Sequence, residues 1–199
     1  MTSGDEAYEG FSVDNVLYSA DEEAIHFSLY VPESYDGESA VPLFITLSGY
    51  QGLYFNGANQ NLLTEQFAFA ARDYNEDMII AAPQLNDWGQ VSADQTIALT
   101  EYLERAYRID HVYLEGYSGG GETLSLVMAT APQLYRAVLF CSSQWDGALE
   151  SIADAQVPLY LIVGADDEYY GAGPARDTAQ RLRLLYASHG LSDSEIDFS

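Results

Sequence analysis

The amino-acid sequence predicts an α/β protein, a three-layer α/β/α sandwich built around one mostly parallel sheet. Apolar runs rich in β-branched residues, which are typical of strands buried on both faces, occur at 41–49, 77–83 and 157–164. Segments with the apolar spacing of amphipathic helices separate these runs and lie at 60–75, 92–108 and 173–190. Such alternation indicates βαβ units whose crossover helices cover both faces of the sheet. The length of 199 residues fits a single domain, 1–199.

The remaining elements each have a local signal. Further strands are predicted at 24–32, 111–116 and 135–142. Further helices are predicted at 121–132 and, as a short helix or turn, at 146–155. Pro32 ends the first of these strands, Pro132 stops a helix, and Gly190 caps the last helix. Residues 1–10 are polar and are expected to form a loose terminus.

The charge balance restricts the partners of this protein. The formal net charge is −24, and all seven basic residues are arginine. This charge repels phosphate backbones and anionic membrane surfaces, so nucleic acid is not expected as a partner. No apolar run reaches the roughly 18 residues that a membrane-spanning helix needs. The acidity is interpreted as a means of solubility in salt or outside the cell.

Five polar, glycine-rich segments follow the predicted parallel strands. Right-handed crossovers bring the carboxyl ends of such strands to one side of the sheet, here called the carboxyl edge, where ligands bind. The segments are SGYQG (48–52), PQLNDWG (83–89), GYSGG (116–120), SSQWDG (142–147) and GADDEYYG (164–171). We therefore expect these segments to line one cleft.

The segment Gly116-Tyr117-Ser118-Gly119-Gly120 fits the pattern G-x-S-x-G between a strand and a helix. In so tight a turn, the residues two before and two after the serine crowd each other, which favours glycine at both positions. The turn would expose the Ser118 hydroxyl at the carboxyl edge. The alternative interpretation is a glycine-rich turn in which Ser118 serves only as a helix N-cap.

From about residue 24 onward, the order of segments and this turn resemble the α/β-hydrolase superfamily. Within it, GYSGGGETLSL, SSQWDG and GADDEYYG are most similar to bacterial esterases and prolyl-oligopeptidase-like serine hydrolases. The resemblance implies that Ser118 is a nucleophile acting on carboxylic esters or on peptides, with no cofactor. It also implies an oxyanion hole formed by the backbone N–H of Gly119 and that of Tyr50, with Gln51 as the next choice.

The resemblance further implies an acid that orients a catalytic histidine, placed after a late strand. Asp167 lies three residues after Gly164, as in the G-x-x-D of the family, and is the favoured residue. Asp166 and Asp146 are the alternatives, and in so acidic a chain any of the three can be a solvated loop carboxylate. The run Asp-Asp-Glu lacks the spaced oxygen ligands of a calcium loop, so no metal is expected.

Aromatic residues crowd the same predicted edge. Trp145, Trp88 and Tyr169 are candidates for binding an acyl or aryl group of a substrate. The alternative is that these rings only cover the end of the sheet.

The three histidines, His26, His111 and His189, do not suit the role of the base. His26 lies in an early strand, outside the expected cleft segments. His111 begins the strand that ends at the serine, roughly 20 Å away at 3.3 Å per residue. His189 ends a helix of about 15 residues that leads away from the cleft, which places it about 22 Å from that edge.

The sequence therefore predicts a hydrolase that stops one strand short of the family's catalytic histidine. Without that strand, the segment 157–164 would be an exposed edge able to pair with another chain. The alternative functions are a catalytically inactive binding module and an interaction protein that acts through its acidic surface. A secreted or cell-surface bacterial location is favoured over the cytoplasm, although residues 1–10 lack the features of a signal peptide.

Overall fold

The computed structural model describes residues 1–19, 21, 23–191 and the backbone of 196–198, and within these ranges its central feature is a nine-stranded sheet. The strands are β1 (Glu6–Tyr8), β2 (Phe11–Leu17), β3 (Ile25–Tyr30), β4 (Val41–Leu47), β5 (Ile79–Gln84), β6 (Ile109–Tyr117), β7 (Ala137–Cys141), β8 (Leu159–Ile162) and β9 (Ile196–Phe198). The helices are α1 (Gln60–Thr64), α2 (Phe67–Tyr74), α3 (Gln90–Ala106), α4 (Gly119–Thr130), α5 (Leu149–Asp154) and α6 (Ala172–Ser188). Each helix in the described ranges is too short or too polar to span a bilayer.

The strand order is β1-β2-β3-β5-β4-β6-β7-β8-β9. The pairs from β1 to β5 are antiparallel, and every pair from β5 through β4 to β9 is parallel. The strand β6, which leads to Ser118, lies between β4 and β7 near the middle of the parallel part. The carboxyl ends of β4, β5, β6, β7 and β8 therefore meet at the carboxyl edge.

Helices cover both faces of the sheet. On one face, buried residues of α3, α4, α5 and α6 share a core with the strands, for example Leu99, Leu124, Ile152 and Leu182. On the other face, Leu62 of α1 and Ala68 of α2 belong to a second, smaller apolar cluster. The predicted three-layer arrangement with a mostly parallel sheet is confirmed.

Two local expectations are corrected at the N-terminal side of the fold. Residues 1–10 are not a loose terminus, because β1 pairs with β2 and Thr2 bridges to Val16. The helix expected at 60–75 is two helices, because Glu65 has an extended backbone (φ −130°, ψ 157°) that ends α1.

The far edge of the sheet also differs from the expectation. The strand β9 pairs in parallel with β8, with Leu159 opposite Ile196 and Leu161 opposite Phe198. The prediction that the 157–164 strand lacks an outer neighbour is therefore wrong for these residues. Self-association through this strand was expected because its edge would be unpaired, and β9 now occupies that edge.

Candidate functional site

Ser118 occupies the turn between β6 and α4, where the sequence predicted it. Its backbone has φ 53° and ψ −124°, a conformation that is strained for a residue with a side chain. Three hydrogen bonds hold the turn in place. The Ser118 N–H donates to the carbonyl of Cys141 (3.0 Å), and the Ser118 carbonyl accepts from the N–H of Gly121 (2.9 Å) and the hydroxyl of Ser143 (2.5 Å). Such strain persists only where the surroundings enforce it, and it is common at active sites.

Two glycines make this turn sterically feasible. A Cβ atom at Gly116 would lie 2.5 Å from the carbonyl oxygen of Gly120. A Cβ atom at Gly120 would lie 2.0 Å from the carbonyl oxygen of Leu47, the last residue of β4. The obstacles are backbone atoms, which cannot rotate away as the end of a side chain can.

The substitution Gly120→Ala should therefore lower the free energy of unfolding by about 3 kcal/mol or more. The matched control is Gly173→Ala in α6, where an added Cβ meets no atom within 4 Å. It should leave stability unchanged or raise it by about 0.5 kcal/mol, because alanine loses less backbone entropy than glycine. Urea unfolding of both variants measures this, and a Gly120→Ala protein within about 1 kcal/mol of the wild type would contradict the steric argument.

The loop after β4 lies directly against the serine. A Cβ atom at Gly49 would be 3.0 Å from the Cβ and 3.5 Å from the Oγ of Ser118. Tyr50 begins a 3-10 turn that ends at Gly52, whose N–H donates to the carbonyl of Gly49 (3.0 Å). Within the described part of the chain, the N–H groups of Tyr50 and Gly119 donate to no protein acceptor. Both are thus free to bind an oxygen atom beside Ser118.

Trp88 packs on the start of α4. A Cβ atom at Gly119 would lie 1.8 Å from the indole Nε1 of Trp88, and the Trp88 ring centroid is 6.2 Å from that of Tyr50. The Nε1 atom is buried, with no hydrogen-bond partner among the described residues. Trp88 therefore contacts the segments that carry both candidate oxyanion donors.

The other two aromatic candidates differ in their surroundings. Trp145 follows β7 and packs against Phe140, with ring centroids 5.4 Å apart. Tyr169 is 85% exposed and meets Tyr170 edge to face. Substrate contact by Trp88, Trp145 and Tyr169 stays a prediction.

Of the three candidate acids, Asp167 is the one whose carboxylate is held by the surrounding backbone. Its Oδ1 accepts hydrogen bonds from the N–H groups of Tyr169 (2.9 Å), Tyr170 (2.8 Å) and Gly171 (3.3 Å). These bonds, led by that from Tyr170, hold the pKa of Asp167 below its ordinary value. Asp166 and Asp146 are both exposed.

A pair of side chains, Tyr170 and Glu122, joins the loop after β8 to the first turn of α4. The hydroxyl of Tyr170 donates to Oε1 of Glu122 (2.8 Å). Burial, together with the bond to Glu122, raises the pKa of Tyr170 to about 12. The phenol is therefore protonated at neutral pH and cannot act as the base. One signal in the sequence could have indicated Glu122. It follows Ser118 by four residues, and residues four apart are neighbours on a helix.

Each of the three histidines has a position away from the serine. The Nδ1–H of His26 donates to Oδ1 of Asp14 (2.6 Å), and the His26 ring stacks on Tyr54 at 3.8 Å between ring centroids. It lies opposite Gln84 at the end of β5 and therefore at the carboxyl edge, a position that the sequence did not predict. Three strand spacings separate β3 from β6, about 14 Å.

The other two histidines lie where the sequence predicted. His111 is exposed near the start of β6, seven residues before Ser118 in an extended strand. His189 follows the last turn of α6, and its Nε2 lies 3.0 Å from a carboxylate oxygen of Asp154. The chain contains three histidines, and none of them lies beside Ser118 as a base within the described residues.

An apolar groove of about 900 Å³ lies on the α2 side of the sheet. Its walls include Phe44, Phe67 and Tyr113. None of the candidate catalytic or oxyanion residues lines it, so it is separate from the site around Ser118.

No protein-family model matches the chain, and no curated protein matches it in sequence. Solved structures do match its fold. A thermostable esterase is 18% identical, with a TM-score of 0.78 over 96% of this chain and 54% of its own. Est1E from Butyrivibrio proteoclasticus is 13% identical, with a TM-score of 0.67 over 94% of this chain and 88% of its own.

Dipeptidyl peptidase 4 from Porphyromonas gingivalis is 12% identical, with a TM-score of 0.70 over 97% of this chain and 32% of its own. The chain thus spans about half the length of the thermostable esterase and a third of that peptidase. The alternation of strands and helices, the strained serine between β6 and α4 and these structural matches lead to one conclusion: this chain has the α/β-hydrolase fold.

Proposed function

We propose that this protein is a serine hydrolase that acts on carboxylic esters or peptides through Ser118. The observation that carries the proposal is the contact between Ser118, in its strained turn, and the loop at Gly49. This contact supports a site in which the N–H groups of Tyr50, next to Gly49, and of Gly119, next to Ser118, bind one oxygen atom. A carbonyl bound there would meet a nucleophile and two unpaired donors together. The esterases and the peptidase that share the fold are consistent with this reaction class.

In the proposed reaction, Ser118 Oγ attacks the carbonyl carbon, and the two N–H groups stabilise the negative charge that forms on the oxygen. Asp167 would orient a histidine that these 199 residues do not supply. That histidine would take the serine proton and then return it to the leaving group.

The experiment is labelling with a fluorophosphonate probe, which reacts fast with a serine activated by a base and slowly with a serine that only an oxyanion hole assists, as expected for this chain. We expect the label on the tryptic peptide that contains Ser118, and we expect Ser118→Ala to remove it. The control Ser188→Ala removes a hydroxyl at the end of α6 and should leave labelling unchanged. A label distributed over several serines, or one that survives Ser118→Ala, would contradict the proposed nucleophile.

The second candidate function is a binding module that keeps the cleft without catalysis. The positions of His26, His111 and His189 favour it, because none of them lies beside Ser118. A folded wild-type chain that takes up no label would establish this alternative.

A further inference from the structure

The carboxyl group of Glu65 is buried next to the loop that carries Tyr50. The Glu65 residue is 8% exposed and pairs with no arginine among the described residues. A buried acid without a cation costs free energy, so its presence calls for a compensating contact. The extended backbone of Glu65, which breaks the helix expected at 60–75, turns this residue inward between α1 and α2.

The compensating contact is with the oxyanion loop. Oε1 of Glu65 accepts a hydrogen bond from the backbone N–H of Gly49 (2.8 Å). The next peptide, between Gly49 and Tyr50, has its carbonyl oxygen bound by the N–H of Gly52 (3.0 Å). Glu65 and this turn together fix the two peptides on either side of the Gly49 Cα. The direction of the Tyr50 N–H depends on both.

The residues around Glu65 are polar, and they are buried away from solvent. Glu115 on β6 accepts from the hydroxyl of Thr46 (2.7 Å), and Asn61 on α1 donates to the carbonyl of Thr46 (2.9 Å). Oε2 of Glu65 and Oε1 of Glu115 are buried without a hydrogen-bond partner in the described part of the chain. The carboxyl group is therefore engaged with protein on one oxygen alone, the one that holds Gly49.

Three titratable groups interact in this region: Glu65, Glu115 and the thiol of Cys141. Burial raises the pKa of all three, that of Glu65 to about 7 and that of Cys141 to about 12. The pKa of Glu115 is raised well above its ordinary value, mainly by burial. Glu65 is thus the member of this cluster whose charge changes near neutral pH.

We propose that Glu65 is a positioning residue of the oxyanion hole, which acts through the Gly49 peptide to hold the Tyr50 N–H toward the oxygen bound beside Ser118. This inference rests on the proposed function of Ser118. Glu65 does not touch the reacting atoms. Its contribution is to keep one of the two donors in place before the substrate arrives, so that no reorganisation is needed in the transition state.

The test compares three variants in the fluorophosphonate labelling of Ser118. Glu65→Leu removes the acceptor and should lower the second-order labelling rate constant by about 10- to 100-fold, since loss of a whole oxyanion donor costs about 10² to 10³. Glu65→Gln keeps a carbonyl oxygen for the Gly49 N–H and should stay within about threefold of the wild type. The matched control Glu115→Gln changes the neighbouring buried acid, which does not contact the loop, and should also label normally.

A merely structural role would lower the melting temperature of Glu65→Leu and leave the labelling rate of the folded protein unchanged. Rates are therefore measured well below each melting temperature. Equal rates for Glu65→Leu and the wild type would overturn the inference.

Amide NMR tests the same contact without any chemistry at Ser118. The Gly49 amide resonance should titrate with a midpoint near 7 in the wild type and in Glu115→Gln, and should not titrate in Glu65→Gln. The Tyr50 amide resonance should shift in Glu65→Leu. If these shifts are seen in a protein that takes up no label, the proposed function fails while the positioning by Glu65 stands. If Gly49 does not titrate and Tyr50 does not shift, the inference fails.

Discussion

Turnover of an activated ester such as p-nitrophenyl acetate by this 199-residue chain should be about a million-fold slower than by a serine hydrolase with a complete triad. A serine hydroxyl without a neighbouring base stays protonated at neutral pH and is a weak nucleophile. His26 is engaged with Asp14 and Tyr54, His189 with Asp154, and His111 lies near the start of β6, at the opposite end of that strand from the serine. Tyr170 donates its hydroxyl to Glu122, and since its pKa is raised to about 12 it is protonated at neutral pH and is no base either.

The oxyanion donors should still contribute, leaving an acceleration of about 10³-fold over water. Steady-state hydrolysis followed by nitrophenolate release measures kcat, and Ser118→Ala provides the background. His26 is the histidine at the carboxyl edge, and it could contribute slowly to turnover. Comparing His26→Gln, Ser118→Ala and the double mutant controls for that contribution. Full esterase turnover by this chain would show that a base reaches Ser118 by a route that the structure does not contain.

The second large effect concerns Asp167, in a form of the protein extended beyond residue 199 to carry a histidine that reaches Ser118. In that form Asp167→Asn should lower kcat by about 10⁴-fold, because the carboxamide would hold the imidazole in the wrong tautomer. Three backbone N–H groups already fix the carboxylate, so the substitution should change the charge of the group more than its position.

Asp146→Asn and Asp166→Asn are the matched controls, since both remove the charge of an exposed acid near the same edge. Each should leave kcat within about threefold of the parent enzyme. A loss of about 10⁴-fold in Asp146→Asn with none in Asp167→Asn would assign the orienting role to the loop after β7. Melting temperatures of the three variants separate a loss of catalysis from a loss of folding.

The parallel part of the sheet could be predicted because each of its strands has a strong local signal. The strand β5 is buried at every position, and an apolar run such as 77–83 is the pattern that double burial requires. The first strands were missed although β2 alternates buried and half-buried residues along Phe11–Leu17. The charged and polar residues around it suggested a loose terminus, and its pairing with β1 and β3 involves partners outside the segment.

The sequence by itself determined the alternation of strands and helices in the parallel part of the sheet and the turn at Ser118. These depend on periodicity and on glycine sterics, which are properties of short segments. The tertiary structure decided which distant residues meet at the serine. The bond from Gly49 to Glu65, the bond from Tyr170 to Glu122, and the place of His26 at the carboxyl edge each join segments that are separated along the chain. Such contacts arise from strand order and loop packing, and no local pattern encodes them.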